Sequence, residues 1–248
     1  HVAAAAALLL EKNPLLSSAE VRGVLQASCD DLGDKGWDTD FGSGRLNCAT
    51  AVSITGASNI KITFPENDAV FRSDRTNSIE IKGNVATPLF SSWKLALGKG
   101  ELPSEKSWIA IGESSVHQSL GQALATLSLS ALQDTTYTLR LVVELTNGNS
   151  IERRVRFDVI SAASKLDFLG FTPSKTNAWH NDKRVAVISA VLSARCKFYV
   201  KIKKQGSADI AKSYEDIDHF SRQHSIAFFD TDMEGGVTYD CEVIGILP

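Results

Sequence analysis

Cysteines are the residues of this 248-residue chain that are best suited to covalent chemistry. Cys29 and Cys48 lie on either side of a glycine-rich loop, whereas Cys196 and Cys241 fall in two segments with strand-like patterns. Their even number would allow one disulfide in each region of a protein exported to an oxidising compartment. Four free thiols are the alternative, because a disulfide needs Cα atoms within ~7 Å of each other and the sequence does not fix that distance.

Carboxylates are grouped at two places, as they are in cation sites. Asp230, Asp232 and Glu234 alternate along the chain as the ligands of a calcium loop do. The other ligands of such a loop are absent, so calcium is a weak candidate and an acidic turn before a strand is the favoured interpretation. The second group is expected to be a structural loop. It consists of Asp30, Asp31, Asp34, Asp38 and Asp40.

Histidines and lysines give weaker signals. Four histidines lack the spacing with cysteine that metal sites use, and we expect them to be ordinary core or surface residues. They are His117, His180, His219 and His224. Lys197, Lys201 and Lys203 share one face of a predicted strand, as a patch for an acidic polysaccharide would. The apolar residues between them account for the same pattern, so a solvated strand face is favoured.

Length and composition limit the class of protein. With 248 residues, of which 43% are hydrophobic, the chain is long enough for more than one domain with a buried core. The formal net charge is -3 and the isoelectric point is near 6.0, so no nucleic-acid partner is expected. The apolar run at residues 2–10 is shorter than the ~20 residues of a membrane-spanning helix, so no transmembrane segment is expected.

The first 55 residues have the pattern of a helical unit. A helix rich in alanine and leucine opens the chain and ends near Asn13-Pro14. Ser17 and Glu20 have the spacing of a capping box at the start of a second helix, and glycine-rich turns follow it. The small alanine side chains would let the first helix approach other backbone closely.

Five blocks of this region resemble the C-terminal end of a subtilisin-like serine peptidase catalytic domain (peptidase family S8). The blocks are residues 1–10, 20–25, 30–33, 36–38 and 41–52. The resemblance maps His1 onto the histidine that follows the nucleophile motif. The nucleophilic serine would then lie about five residues before His1, with the catalytic aspartate and histidine further upstream. No catalytic residue is thereby assigned to this chain, which is expected to be inactive alone.

The resemblance implies an exported parent protein, either secreted, periplasmic or attached to the cell surface, that hydrolyses protein or peptide substrates. It implies no cofactor, although a calcium ion in the parent is compatible with it. Without the parallel sheet on which such helices pack, five apolar side chains are expected to be exposed, which would leave the segment mobile or prone to associate. They are Leu8, Leu9, Leu10, Val21 and Leu25.

Beyond residue 60, short alternating strands replace the helical pattern, which is typical of antiparallel β-sandwiches. Several stretches resemble immunoglobulin-like or fibronectin type III-like modules. They are residues 62–71, 93–100, 108–111 and 132–141. In this resemblance Tyr137 is the corner tyrosine, and we expect Trp93 and Trp108 at core positions.

Two further predictions concern strands. Asn147-Gly148 predicts a tight turn between two strands, and Asp158 is expected on the outward face of the second one. After about residue 165 a weaker match to the same class of sandwich follows. Its strands are predicted at 184–188, 197–203, 226–229 and 237–244. One more strand would be needed to cover its edge, so this module is expected to be truncated.

The sequence thus predicts a mixed fold with three parts. A short α-helical end of an α/β subtilisin-like domain occupies residues 1–56, and two all-β immunoglobulin-like sandwiches follow at 57–161 and 162–248, the second of them fibronectin type III-like. The predicted function is that of a fragment of an exported subtilisin-like serine endopeptidase. The alternative hypothesis is a cell-surface binding or adhesion protein whose sandwiches hold a polysaccharide or a protein. A third possibility is that the modules are only spacers or export signals that hold the peptidase at the cell surface.

Overall fold

The computed structural model describes residues 1–115, 119–180, 183–229 and 237–248 of the chain. Strands make up most of its regular structure, and three short helices precede them. The chain divides into two compact units, one formed by His1–Asn67 with Arg75–Phe157 and the other by Asp68–Asp74 with Asp158–Pro248. The helical segment therefore belongs to the same unit as the first set of strands.

Three helices begin the chain: α1 (Val2–Lys12), α2 (Ser18–Ser28) and α3 (Cys48–Ser53). The predicted capping box of α2 is confirmed, because Ser17 Oγ accepts a hydrogen bond from the Glu20 N–H at 3.3 Å and Glu20 Oε2 accepts one from the Ser17 N–H at 2.8 Å. These bonds satisfy backbone donors that a helix start leaves without partners. Within the described residues, none of the helices has the length and hydrophobicity that crossing a membrane requires.

The helices pack against one another around a small apolar core. Its buried members are Ala5, Leu9, Val21, Val24, Leu25 and Ala51. The expectation that Leu9, Val21 and Leu25 are exposed was wrong, because contact among the three helices buries them without a parallel sheet. Leu8 and Leu10, which flank Leu9 around α1, are exposed as expected.

The next eight strands form two antiparallel sheets. They are β1 (Asn59–Phe64), β2 (Ala69–Arg72), β3 (Ser78–Ala86), β4 (Phe90–Lys99), β5 (Ile109–Ser114), β6 (Ser119–Ser128), β7 (Thr135–Leu145) and β8 (Ser150–Ile160). One sheet has the strand order β1-β3-β6 and the other has the order β2-β8-β7-β4-β5. Alternate residues are buried in β3, in most of β4 and in the second half of β7, as the period of two in the sequence predicted, whereas the last four residues of β8 are all buried. All of these strands except β2 and the last three residues of β8 belong to the first unit, which thus contains a β-sandwich.

Local predictions for this sandwich are largely confirmed. The Tyr137 hydroxyl accepts a hydrogen bond from the Gln133 N–H at 3.0 Å, as a corner tyrosine does. Trp93 is buried, whereas Trp108 is only half-buried. β7 and β8 form the predicted hairpin, but it is Gly148, and not the asparagine before it, that has a positive φ, of 91°.

The second unit is built around one long strand. Its strands are β9 (Phe168–His180), β10 (Lys183–Lys204), β11 (Ile210–Phe229) and β12 (Tyr239–Ile246). β10 pairs with β11 on one edge, and its other edge pairs with β9 in the first half and with β12 in the second half. The strands predicted at 184–188 and 197–203 are therefore two parts of β10.

This second sheet folds back on itself and so makes its own core. Tyr214 and Phe228 lie 14 residues apart on β11, yet their ring centroids are 4.5 Å apart. Along a straight strand they would be separated by roughly 45 Å. Both rings pack on a core that includes Ile188 from the first half of β10 and Val200 from the second half. The two halves of the sheet therefore face each other as the layers of a sandwich.

Charged side chains are buried within the second unit. The Arg195 guanidinium lies 2.6 Å from Asp158 Oδ1 and 2.6 Å from Asp68 Oδ1, and Arg222 lies 3.5 Å from Asp158 Oδ2. Only 3% of the Asp158 side chain is exposed. The prediction that Asp158 faces outward was wrong, because the alternation of residues in β8 does not reveal that an arginine from β10 covers it.

Replacing Arg195 by leucine is expected to destabilise the second unit by about 3–5 kcal/mol, because the buried Asp158 carboxylate loses its closest cation. Amide hydrogen exchange of peptides from β10 and β11, measured by mass spectrometry, gives this free energy for the second unit alone. Lys203→Ala is the matched control, since the partly exposed Lys203–Glu242 pair, 3.3 Å apart, is expected to contribute less than about 1 kcal/mol. An equal loss of protection in the two variants would contradict the role given to Arg195.

Candidate functional site

The outer face of α1 is the most unusual surface of the first unit. Leu8 and Leu10 are 47% and 40% exposed, and Ala3, Ala4 and Ala7 are exposed between them. A surface helix normally has one apolar stripe and a polar opposite face, whereas a helix that is apolar all round is normally buried on all sides. Over residues 2–10, α1 therefore has the composition of a buried helix but is covered on one side only.

An apolar groove lies beside this face. Its volume is about 390 Å³, and Val2 and Ala6 of α1 line it together with Val21 and Leu25 of α2 and with Leu46. Val2 lies seven residues before Leu9, so the groove is on the packed side of α1 and not on its outer face. Contiguous exposed apolar surface on a folded unit can serve as a contact site for a protein, a membrane or a ligand.

Close contacts hold the helices on the sandwich in a fixed orientation. The Asn147 side chain donates a hydrogen bond to the Ala27 carbonyl at 2.9 Å, and the Asn149 side chain donates to the Ala27 and Cys29 carbonyls at 3.0 and 2.8 Å. At Gly23 a Cβ atom would lie 2.6 Å from the Ser58 carbonyl oxygen, so only glycine permits this approach of α2 to the chain before β1. The outer face of α1 is thereby presented by a fixed support.

The acidic loop is held together by its own hydrogen bonds. Asp30 accepts from Asn47 at 2.9 Å and from Arg45 at 2.9 Å, and these two donors lower the pKa of its carboxyl group. Asp31 accepts from the Gly36 N–H at 2.9 Å, and the Asp38 carboxylate accepts backbone N–H groups of the same loop. The expectation of a structural loop is confirmed for these carboxylates.

The structure places the remaining candidate residues as follows. All four cysteines are free thiols: Cys29 and Cys48 are half-buried, Cys196 is buried and Cys241 is exposed. Over the described ranges, no group of three histidine, cysteine or acidic side chains is arranged to hold a metal ion. The calcium candidate and one histidine lie outside the described residues. They are Asp230, Asp232, Glu234 and His117.

One arrangement that the sequence did not predict is a buried cysteine–histidine–aspartate contact. His224 Nδ1 lies 2.7 Å from Asp216 Oδ2, and His224 Nε2 lies 3.8 Å from Cys196 Sγ and 2.9 Å from the Ser221 carbonyl oxygen. The imidazole also stacks on Phe198, with ring centroids 4.8 Å apart. Residues so distant in sequence meet because the pairing of β10 with β11 becomes irregular between Val191 and Cys196.

The chemistry of this contact is structural and not nucleophilic. Burial raises the pKa of the Cys196 thiol to about 11, so the thiol is protonated at neutral pH. A base for the thiol would need a vacant ring nitrogen, but the Ser221 carbonyl already occupies Nε2. The contact therefore joins the two halves of the folded sheet at its bend.

Known proteins offer only weak likenesses. No protein-family model matches the chain, and no curated protein matches its sequence. Among solved structures, the fibronectin(III)-like modules of CbhA from Clostridium thermocellum are 18% identical, with a TM-score of 0.31 over 75% of this chain and 93% of that one. CopC from Methylosinus trichosporium OB3b is 14% identical, with a TM-score of 0.28 over 44% and 98%. Latent PorU from Porphyromonas gingivalis is 10% identical, with a TM-score of 0.25 over 78% and 20%. At these TM-scores none of the likenesses bears on function.

Leu9→Ala is expected to destabilise the helical segment by about 2–5 kcal/mol, because it opens a cavity in the core of the three helices. Leu8→Ala, the matched control one residue away on the exposed face, is expected to change the free energy of opening by less than about 0.5 kcal/mol. Amide exchange of peptides from α1 and α2 measures both effects. A larger loss for Leu8→Ala than for Leu9→Ala would contradict the packing of α1.

The two cysteines of the second unit are expected to differ in reactivity. At pH 8 a maleimide should modify the exposed Cys241 within minutes, whereas Cys196 should react only after unfolding, since a pKa of about 11 leaves roughly one thiol in a thousand ionised. Peptide mass spectrometry after timed labelling locates the adducts, and Cys241→Ser serves as the control. Rapid labelling of Cys196 in the native protein would contradict its burial.

Proposed function

We propose that this chain is part of an exported subtilisin-like serine endopeptidase, in which the three helices close the catalytic domain and the β units follow it. The blocks of residue type and spacing between positions 1 and 52 support this proposal. The observed bounds of α1 and α2 and the positive φ of Gly33, Gly36, Gly42 and Gly44 are compatible with those blocks.

One observation carries the proposal, namely the incomplete burial of α1. Its Leu9 side is packed on α2 and α3, while the side that includes Leu8 and Leu10 has no cover among the described residues. The main sheet of a catalytic domain would bury this second side. The exposed alanines favour such a partner, because side chains that end at Cβ let the backbone of a sheet approach the helix closely.

In the proposed parent, a serine hydroxyl attacks the peptide carbonyl while a histidine takes its proton, an aspartate orients the histidine and an oxyanion hole stabilises the intermediate. The resemblance places all of these groups before His1. The helices of this chain would take no part in the chemistry and would hold the catalytic groups in place. α1 would support the nucleophile from behind, and α2, fixed through Ala27 and Cys29 to the first sandwich, would hold α1 in place.

The test is covalent labelling of the full-length protein with diisopropyl fluorophosphate, which forms an ester with an activated serine. Peptide mass spectrometry is expected to locate the adduct on a serine about five residues before His1. The 248-residue chain alone is the control, and it is expected to remain unlabelled and inactive on casein. Failure of the full-length protein to react, an adduct at another site, or casein hydrolysis by the 248-residue chain would overturn the proposal.

A further inference from the structure

A second groove of the first unit has a different chemistry from the apolar one. Its volume is about 570 Å³, within the usual range of ligand sites, and it lies between the start of α2, β1 and β8. Four cationic residues from three different elements line it: Arg22 from α2, Lys61 from β1, and Arg153 and Arg154 from β8. We call it the cationic groove.

Within the described structure, three of these cations lack carboxylate partners. Over the described residues, no carboxylate lies within ion-pair distance of Arg22, Lys61 or Arg153. The Arg153 guanidinium instead donates hydrogen bonds to two backbone carbonyls, that of Ile60 at 3.1 Å and that of Glu152 at 2.8 Å. Burial and the nearby Arg22 cation lower the pKa of Arg153. Two guanidinium groups that line the same groove favour an anion between them.

The other charged groups of the lining do not cancel this preference. Arg154 is neutralised by an ion pair with Glu152. Glu66 is the one carboxylate in the lining, and it forms no ion pair with the three cations within the described structure. The lining therefore has an excess of positive charge, although the whole chain has a formal net charge of -3.

The groove also runs along an open strand edge. β1 is the outer strand of its sheet, since β3 is its one partner among the described strands. The Ile60 carbonyl points to that open edge, where it accepts the bond from Arg153. In a regular antiparallel strand the backbone groups of every second residue point the same way, so we expect those of Ile62, the last residue before the register shift of β1, to face the same edge. An extended peptide can pair with such an edge.

We propose that the cationic groove binds an extended acidic peptide segment, whose backbone pairs with the open edge of β1 and whose carboxylates contact Arg22 and Arg153. Charge complementarity selects the acidic side chains, and the strand edge selects an extended backbone. The inference does not depend on the proposed peptidase function, because it rests on residues of α2, β1 and β8 alone.

Fluorescence anisotropy with a labelled peptide of alternating aspartate and valine tests this inference on the 248-residue chain. Arg22→Gln is expected to weaken binding at least about fivefold, since it removes a cation that pairs with a carboxylate of the peptide. Arg22 is exposed, so this variant should fold, and Arg153→Gln should act in the same direction. Glu66→Gln is expected to tighten binding about twofold or more, an effect that misfolding would not produce. Raising the salt concentration should weaken binding.

Two controls separate this site from non-specific attraction. Arg75→Gln removes the same charge from an exposed position outside the groove and is expected to leave the affinity unchanged. A peptide with asparagine in place of aspartate should bind at least about tenfold more weakly. Equal weakening by Arg75→Gln, equal binding of the asparagine peptide, or no binding would overturn the inference. Binding of inorganic phosphate without binding of the peptide would overturn the peptide as the occupant.

Discussion

The hydrogen bonds between the β7–β8 turn and the end of α2 determine how the first unit is arranged. A helix end leaves carbonyl groups without partners, and here Asn147 and Asn149 donate to those of Ala27 and Cys29. The contact of Gly23 with Ser58 fixes the same helix a turn earlier. Because α2 is held at these points, the two surfaces beside it have a fixed position on the sandwich. They are the apolar face of α1 and the cationic groove.

The second unit depends on polar contacts of another kind. Burial of apolar residues drives β10 and β11 to fold over, but hydrophobic contact does not specify where the bend occurs. The Asp216–His224 bond and the stacking of His224 on Phe198 lie at the bend, and the ion pairs of Arg195 with Asp158 and Asp68 lie nearby in the chain. Hydrogen bonds and ion pairs need a defined geometry, so these contacts restrict how the two halves of the sheet can pack at the bend.

The two surfaces of the first unit differ in what they can contact. The face of α1 offers apolar area and closely approachable backbone, which suits another folded domain. The cationic groove offers guanidinium groups and a strand edge, which suits a flexible acidic segment. Arg22 lines both grooves. The residue that would contact the acidic segment therefore also borders the apolar groove between α1 and α2. The catalytic domain of the proposed peptidase would cover the outer face of α1. The cationic groove would bind a separate partner.

The sequence alone determined the features that depend on local spacing. The capping box of Ser17 and Glu20, the alternation of buried residues in the first sandwich, the corner at Tyr137 and the turn before β8 could each be predicted, because the residues involved lie within a few positions of one another. The burial of Leu9 and Asp158, the meeting of Cys196 with His224 and the cationic groove could not. Each of these joins residues from separate elements, and only strand register and helix packing bring such residues together.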